Sequence, residues 1–535
     1  MARTLDAKGI GTIDEFDVLV IGAGIAGTTA ALAAASSGAR VALASAGSTF
    51  SGSSFFAGTW GLGLVGPDGD ADVDDLVCTI CEVGRDMASP ELARVLVEGV
   101  GPAVDALEAR GVELRRAARA DERDFIPCFD HKHRSWHGLG RESYREATTT
   151  QLSRLGVTLL PHHDLLDLLT SDEVSGAVLF DRERRAPRLV RAGAVVLATG
   201  GFGGLFERTL TTSDVTGTAQ AVALAHGASL VNVEFIQIMP GLLSPVRNVV
   251  FNERTFRYAH VEGLDAKDAT ELLQDRAAHG PFTASLPDKA VDLALAETAE
   301  AGARVTYDLP DVLPEFMQTY FDWFTDTFGS SPAEDVRIAP YAHASNGGIR
   351  IDANASCGIA GLFACGEATG GMHGADRLGG LSSANGLVFG HIAGRSAATW
   401  AAAHPLGPSS PDVTFDATFS PLASDVMRDL RHAMSESCLV IRTQEGLGLA
   451  RATISAFGER LARSSRPCED WREVAATIQV HQSLVSANAL VTAMLARTES
   501  RGAHYRADFS DEDATQARPL VIACKNGEVS ALPAE

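Results

Sequence analysis

The chain has 535 residues, a formal net charge of −23 and 45% hydrophobic residues. That length exceeds what one hydrophobic core covers, so roughly two to four structural units are expected. The acidic balance argues against nucleic acid and anionic membranes as partners, while arginines in a cleft still allow an anionic substrate.

Residues 1–15 are a polar lead-in without an apolar signal region or a twin-arginine pair, and no apolar run reaches spanning length. A cytoplasmic protein is expected. The first element is the apolar run Phe16–Ile21, followed by Gly22-Ala23-Gly24-Ile25-Ala26-Gly27 and an alanine-rich stretch. This reads as strand, tight turn and helix N-terminus, with glycines in the order that brings backbone N–H groups up to a pyrophosphate. The alternative is a tight turn that binds nothing. Val41–Ala44 reads as the second strand, and it runs into Ser45 where an NAD fold commonly has a carboxylate for the ribose. Gly52–Gly61 is rich in small and hydroxyl residues, suited to lining a flat cofactor or to an ordinary loop.

Residues 72–110 read as two helices, the second opened by Pro90. The first carries Cys78 and Cys81, and with no second pair neither zinc nor an iron–sulfur cluster is expected among the eight cysteines. Asp130–His137 holds three histidines and an arginine. Contact with substrate or cofactor and a structural role both stay open, and metal lacks the convergent carboxylates or cysteines. Residues 157–199 read as a meander of strands ending in a buried parallel strand that exits through Thr199-Gly200-Gly201. A turn, a helix (219–226) and a strand (229–235) follow. From about 240 to 340 glycine thins, prolines break the chain, and Phe316, Tyr320, Phe321, Trp323, Phe324 and Phe328 fall at helical spacing. This reads as an inserted second domain with those aromatics as its core. Glycine then returns: Gly361–Ala368 reads as a strand and turn carrying Glu367, His373–Gly380 follows, and a long helix runs from Ser382 to Ala402. Residues 420–500 read as an amphipathic helical bundle, and the last twenty or so carry no motif.

Five blocks in this order resemble the flavoproteins of the fumarate reductase, succinate dehydrogenase and L-aspartate oxidase group. They are the first glycine motif, Ala198–Gly201, Val233–Gln237, Gly361–Glu367 and His373–Gly380. Gly52–Ala57 and Arg497–His504 are most similar to the L-aspartate oxidase branch, where the second strand also commonly ends in serine. The resemblance implies an α/β fold: a Rossmann-like FAD-binding domain (1–240 and 341–403), an inserted α+β capping domain (241–340) and a C-terminal helical domain (404–535). It implies non-covalent FAD, because no histidine stands in 51–61 to carry it. Gly22, Gly24 and Gly27 would hold the pyrophosphate, and Glu367 the ribityl or ribose hydroxyls. Ser382 and Ser383 would sit under the isoalloxazine, with Ser45, Ser53, Ser54, Ala57, Gly58, Thr199 and Gly200 along the rest.

The resemblance also implies hydride transfer between flavin N5 and a carbon beside a carboxylate, with His343 and Arg377 as substrate residues. Three departures stand out. The family's Gln-x-His-Pro-Thr reads Gln237-Ile238-Met239-Pro240-Gly241, its proton-shuttling Pro-Arg-Asp reads Leu286-Pro287-Asp288, and Cys128-Phe129-Asp130 replaces a glutamate-containing approach to the histidine run. Proton transfer would then fall to Arg254, Arg257, Tyr258 or His137. The expectation is an oxidoreductase acting on a small carboxylate (amino acid or enoate) other than aspartate, with dioxygen or an electron-acceptor protein as partner. The alternatives are a genuine L-aspartate oxidase and a diverged electron-transfer subunit.

Overall fold

The computed structural model describes all residues except 1–3, 6–12, 117–128, 131, 171, 265–268, 299–300, 408–412, 415–416 and 535. Cys128 and His131 lie outside the described residues. The first glycine motif joins β1 (Ile13–Ile21) to α1 (Ile25–Ser36), which returns the chain to β2 (Val41–Ala44). Gly22 takes φ +109° in the turn, and a Cβ on Gly27 would stand 1.7 Å from the Gly22 carbonyl oxygen. Only glycine at both positions lets α1 start so close behind the strand. The sheet continues with β3 (Thr158–Leu160), β4 (His163–Thr170), β5 (Val174–Asp181) and β6 (Ala186–Leu197) in the order β3-β2-β1-β6-β5-β4. The first four of these are parallel. The end of β6 also pairs in parallel with Leu362–Ala364, so the strand is buried over Leu189–Leu197 as a parallel centre requires.

The chain leaves this body along β7 (Ile236–Ser244), forms α2 (Glu315–Phe328) among smaller elements, and comes back along β8 (Val336–Ser345). β7 and β8 pair antiparallel from Ile236↔Ser345 to Ser244↔Arg337. The boundaries expected at 240 and 341 therefore fall inside two continuous strands. The inserted segment has its own hydrophobic cluster, which includes Leu242, Phe256, Tyr320 and Phe324.

Helix α3 (Leu381–Ala403) packs against α1. Helices Ala423–Cys438, Gln444–Ser464 and Trp471–Ala496 follow, and their buried faces share one cluster with the main sheet. The tail read as motif-free forms a hairpin, Leu520–Lys525 with Glu528–Pro533. Its first strand pairs with Leu230–Val231. No described helix is long and apolar enough to cross a membrane.

Candidate active site

Three cavities with common walls run through the molecule. The first, about 680 Å³, is lined by the β1–α1 turn, Ser45, residues 51–54, Ala198–Gly200 and Glu367, with the C-terminal helices opposite. It shares Ile25, Ser53, Ser54 and Glu367 with a second of about 180 Å³, which reaches Ser382 and Ser383 at the start of α3. The second shares His343, Arg377 and Gly380 with a third of about 500 Å³, one wall of which the inserted segment supplies.

The first two cavities hold donors suited to a dinucleotide. The N-termini of α1 and α3 present backbone N–H groups and positive dipole ends. The Ser45 hydroxyl donates to the Ser48 carbonyl at 3.2 Å. The buried Thr199 hydroxyl has no hydrogen-bond partner among the described residues. Burial pushes the Glu367 carboxyl up, opposed by hydrogen bonds that include the Ser345 N–H at 3.0 Å and the Ser53 hydroxyl at 3.4 Å. Gly22, Gly24, Ser45, Ser53, Ser54, Thr199, Gly200, Glu367, Ser382 and Ser383 thus line this space, and Gly27 stands behind it. Ala57 is exposed and Gly58 backs onto the Asn248 carbonyl, so neither lines any of the three cavities. The loop 54–59 is held by Arg141, which donates to the carbonyls of Ser54 (3.1 Å) and Thr59 (2.5 Å). Burial lowers this guanidinium to about 10. Arg141 opens a polar helix and carries no sequence signal of that role.

Arg377 and His343 meet where the second and third cavities join. Arg377 lies in the irregular run before α3 and is 8% exposed. Its Nε and Nη2 both donate to Gln237 Oε1 (3.0 and 2.7 Å), and Nη1 donates to the Leu378 carbonyl at 3.2 Å. This fixes the plane of the guanidinium. His343 is the extra residue of a β-bulge: Gln237 pairs with Ala344 and Ile238 with Ala342, which leaves residue 343 without a partner. Bulges re-aim side chains, and this one sets the imidazole in both cavity walls. Burial, aided by the nearby Arg377 charge, lowers His343 to about 3. The ring is neutral at physiological pH, and its Nδ1 has no partner among the described residues.

The other candidates are dispersed. Arg257 is exposed and Tyr258 half-buried. Arg254 is 6% exposed with its guanidinium 3.8 Å from the Phe316 ring centre. None of the three lines the third cavity, nor does buried His137. The group from that segment that does line it is Glu253. The stretch is a 3-10 turn with Glu253, Arg254, Thr255 and Phe256 all buried. Burial pushes the Glu253 carboxyl up, opposed by a backbone hydrogen bond and by Arg254, Arg276 and His279. Pro287 is exposed, and the neighbouring Lys289 Nζ donates to the Ala284 carbonyl at 3.0 Å. Most of the aromatic cluster is core: Tyr320 and Phe324 are in it, Phe321, Trp323 and Phe328 pack against it, and Phe316 and Trp323 also line the cavity. Helical spacing alone does not separate those faces. Met239 is a wall residue, packed with Leu210, Val250 and Tyr341. In the histidine run, Arg134 donates to Asp72, Asp75 and Asp130. No group of three or more metal-ligating side chains converges among the described residues.

Residues 17–383 match the family described as FAD binding domain, and residues 427–530 match the fumarate reductase flavoprotein C-terminal family. The chain is 31% identical over 530 residues to an L-aspartate oxidase of Mycobacterium tuberculosis, covering 95% of both chains. It is 27% identical to a CoM/CoB fumarate reductase subunit of Methanothermobacter marburgensis, over 95% of this chain and 97% of that one. The fold superposes on E. coli quinol fumarate reductase FrdA with a TM-score of 0.82 at 24% identity, over 98% and 97% of the two chains. The cavity donors and these matches agree on FAD. The chain belongs to the FAD-binding flavoprotein family that includes the L-aspartate oxidases and fumarate reductases, and it is a flavin-dependent oxidoreductase.

Proposed function

We propose that the protein moves a hydride between its flavin and a carbon beside a carboxylate, on an amino acid or enoate other than aspartate. The observation that carries this is the pairing of Arg377 with neutral His343 at the junction of the flavin-side and outer cavities. Arg377, held flat by Gln237, would bind the carboxylate by charge-assisted hydrogen bonds. His343 would add a neutral hydrogen bond without a competing charge. Glu253, whose protonated form burial favours, would give or take the proton at the substrate carbon.

FAD, bound non-covalently, supplies the hydride acceptor and donor. The residues proposed to hold it are those of the first two cavity walls, with Gly27 allowing α1 its close approach. Ser382 and Ser383, in the first turn of α3, would place the positive helix end toward the ring. The inserted segment supplies one wall of the outer cavity, and a bound substrate filling that space would shield the reacting atoms from water.

Aspartate is disfavoured because Met239 and Gly241 offer no polar side chain for a second carboxylate. The test is to reduce the purified yellow protein and follow reoxidation by fumarate, iminoaspartate-type acceptors, other enoates and dioxygen. Turnover on a monocarboxylate, lost in Arg377→Ala, is expected. Full turnover in Arg377→Ala would sink the site assignment, and robust peroxide release from L-aspartate would sink the substrate exclusion. Failure of every acceptor, with rapid exchange to a protein partner, would identify an electron-transfer subunit instead.

A further inference from the structure

The outer cavity is built unevenly. At its inner end stand Arg377 and His343, and around the rest stand Trp60, Trp136, Trp323, Phe316, Met239 and Val250. Three of the chain's five tryptophans are in this one wall. Trp60 and Trp323 back onto the cluster of the inserted segment and Trp136 onto that of the main body, and all three also line the cavity. The rings are also fixed. Trp60 meets Phe316 edge to face, with centroids 4.7 Å apart and planes at 83°. Phe316 carries the Arg254 guanidinium over its ring, and Trp136 carries that of Arg115 at 5.2 Å. Such rings present a preformed apolar surface at little entropic cost on binding.

Charge supports the same conclusion. Among the described residues, the ionisable ones of the outer wall are Glu113, Arg115 and Glu253. Arg115 already faces the Trp136 ring and approaches Glu315 of the inserted segment at 4.0 Å. A substrate with a second anionic group would put it among indole rings and beside acidic side chains, with no cation among the described residues committed to it. A volume of about 500 Å³ lies in the range of pockets that enclose ring-sized ligands, several times what a four-carbon diacid fills.

We infer that the substrate is a monocarboxylate whose far end is a flat apolar group, aromatic or conjugated, seated among Trp60, Trp136, Phe316 and Trp323. This rests on the reading that Arg377 and His343 hold a carboxylate, and it adds what the remainder of the molecule must be. Aromatic contact then gives both affinity and selection, and Met239 extends the same surface beside the reacting carbon.

The test is calorimetric titration of the oxidised holoprotein, which has no hydride to give, with trans-cinnamate, fumarate and cinnamyl alcohol. Cinnamate should bind at least about 100-fold more tightly than fumarate, since an aromatic ring buried among aromatic walls contributes a few kcal/mol. Trp323→Ala should weaken cinnamate about tenfold and leave fumarate within about twofold, with Trp323→Phe recovering most of the loss. The visible flavin spectrum of each variant reports whether it has folded, and Trp60→Ala serves if Trp323→Ala has not. Fumarate binding as tightly as cinnamate overturns the inference. Cinnamyl alcohol binding as tightly as cinnamate, or no binding of either acid at millimolar concentration, overturns the carboxylate grip at Arg377 and His343 on which the inference rests, so the two failures are distinguishable.

Discussion

Burial acts in opposite directions on the two titratable groups assigned to the outer cavity. It lowers His343 to about 3 and raises Glu253. His343 therefore carries no charge change between about pH 5 and 9, and a titration seen there belongs elsewhere. In the reductive direction a protonated Glu253 is the competent form, so kcat should fall as pH rises through its raised value. Glu253→Gln should abolish that limb and lower kcat by about 100-fold with little change in KM, as pH profiles of the parent and variant will show. A limb that persists in Glu253→Gln would reassign the proton. None of this is visible in Glu253-Arg254-Thr255-Phe256-Arg257-Tyr258 as a string, because the arginines are the conspicuous residues and burial decides the matter. Gly241 is the converse case. Its departure from the family motif is plain in the sequence, but the reason is a neighbour in space. A Cβ there would lie 2.4 Å from the Tyr341 ring, whose hydroxyl donates to the Leu242 carbonyl at 3.1 Å. Gly241→Ala should cost about 1–3 kcal/mol by overpacking, and a second change, Tyr341→Leu, should recover much of it. A denaturant midpoint series on the single and double variants checks this. Additive losses would show that the ring is not the obstacle.

The paired strands β7 and β8 bring the residues of the proposed substrate side together, since Gln237, Met239 and Gly241 face a ladder that contains His343. The period and β-branched content of such strands can be read from sequence, but a one-residue bulge cannot, because it depends on which residue pairs with which. That is why the motif around His343 is legible in the sequence while the aim of its side chain into the cavity walls is not. The bulge separates two consequences of changing residue 343. Replacing the side chain alters a cavity wall and little packing, so His343→Ala should melt within about 3 °C of the parent and stay yellow while losing turnover. Deleting the residue keeps both flanking pairs but removes the bulge and its bend, which pulls Ser345 from the Glu367 carboxyl and the Phe202 N–H it now serves. The deletion should bleach the protein and lower its melting temperature by far more than the alanine variant. Flavin fluorescence during thermal unfolding measures both, and equal melting of the two variants would deny the bulge its structural role.

At the scale of the molecule, composition changes across the inserted segment, where glycine thins and charge rises, but the strands Ile236–Ser244 and Val336–Ser345 run through both expected boundaries. Composition does not mark which of its faces meets the main body, and the cavity aromatics Phe316 and Trp323 read as core for that reason. The contacts that hold the segment down are polar as well as aromatic. Ser285 donates to Glu512 at 2.5 Å, the Ala284 N–H to the Gly502 carbonyl at 2.7 Å, and Thr283 to Asp376 Oδ2 at 2.7 Å. Asp376 immediately precedes Arg377, so the last contact ties the segment to the run proposed to hold the substrate. Burial raises the Asp376 carboxyl to about 7. The Thr283 hydrogen bond and Arg85 oppose that rise, and Glu512 adds to it. The folded protein thus keeps a proton that the unfolded chain loses near the ordinary carboxylate value. Asp376 contributes stability that is complete below that value and is lost as pH rises toward about 7, on the order of 4 kcal/mol over the whole window. Asp376→Asn keeps an acceptor for Thr283 and carries no titrating group. Its urea midpoint should rise relative to the parent between about pH 4 and 8 and run parallel to it above. Parallel curves throughout would mean that Asp376 stays ionised in the folded protein, with Arg85 outweighing burial at this seam.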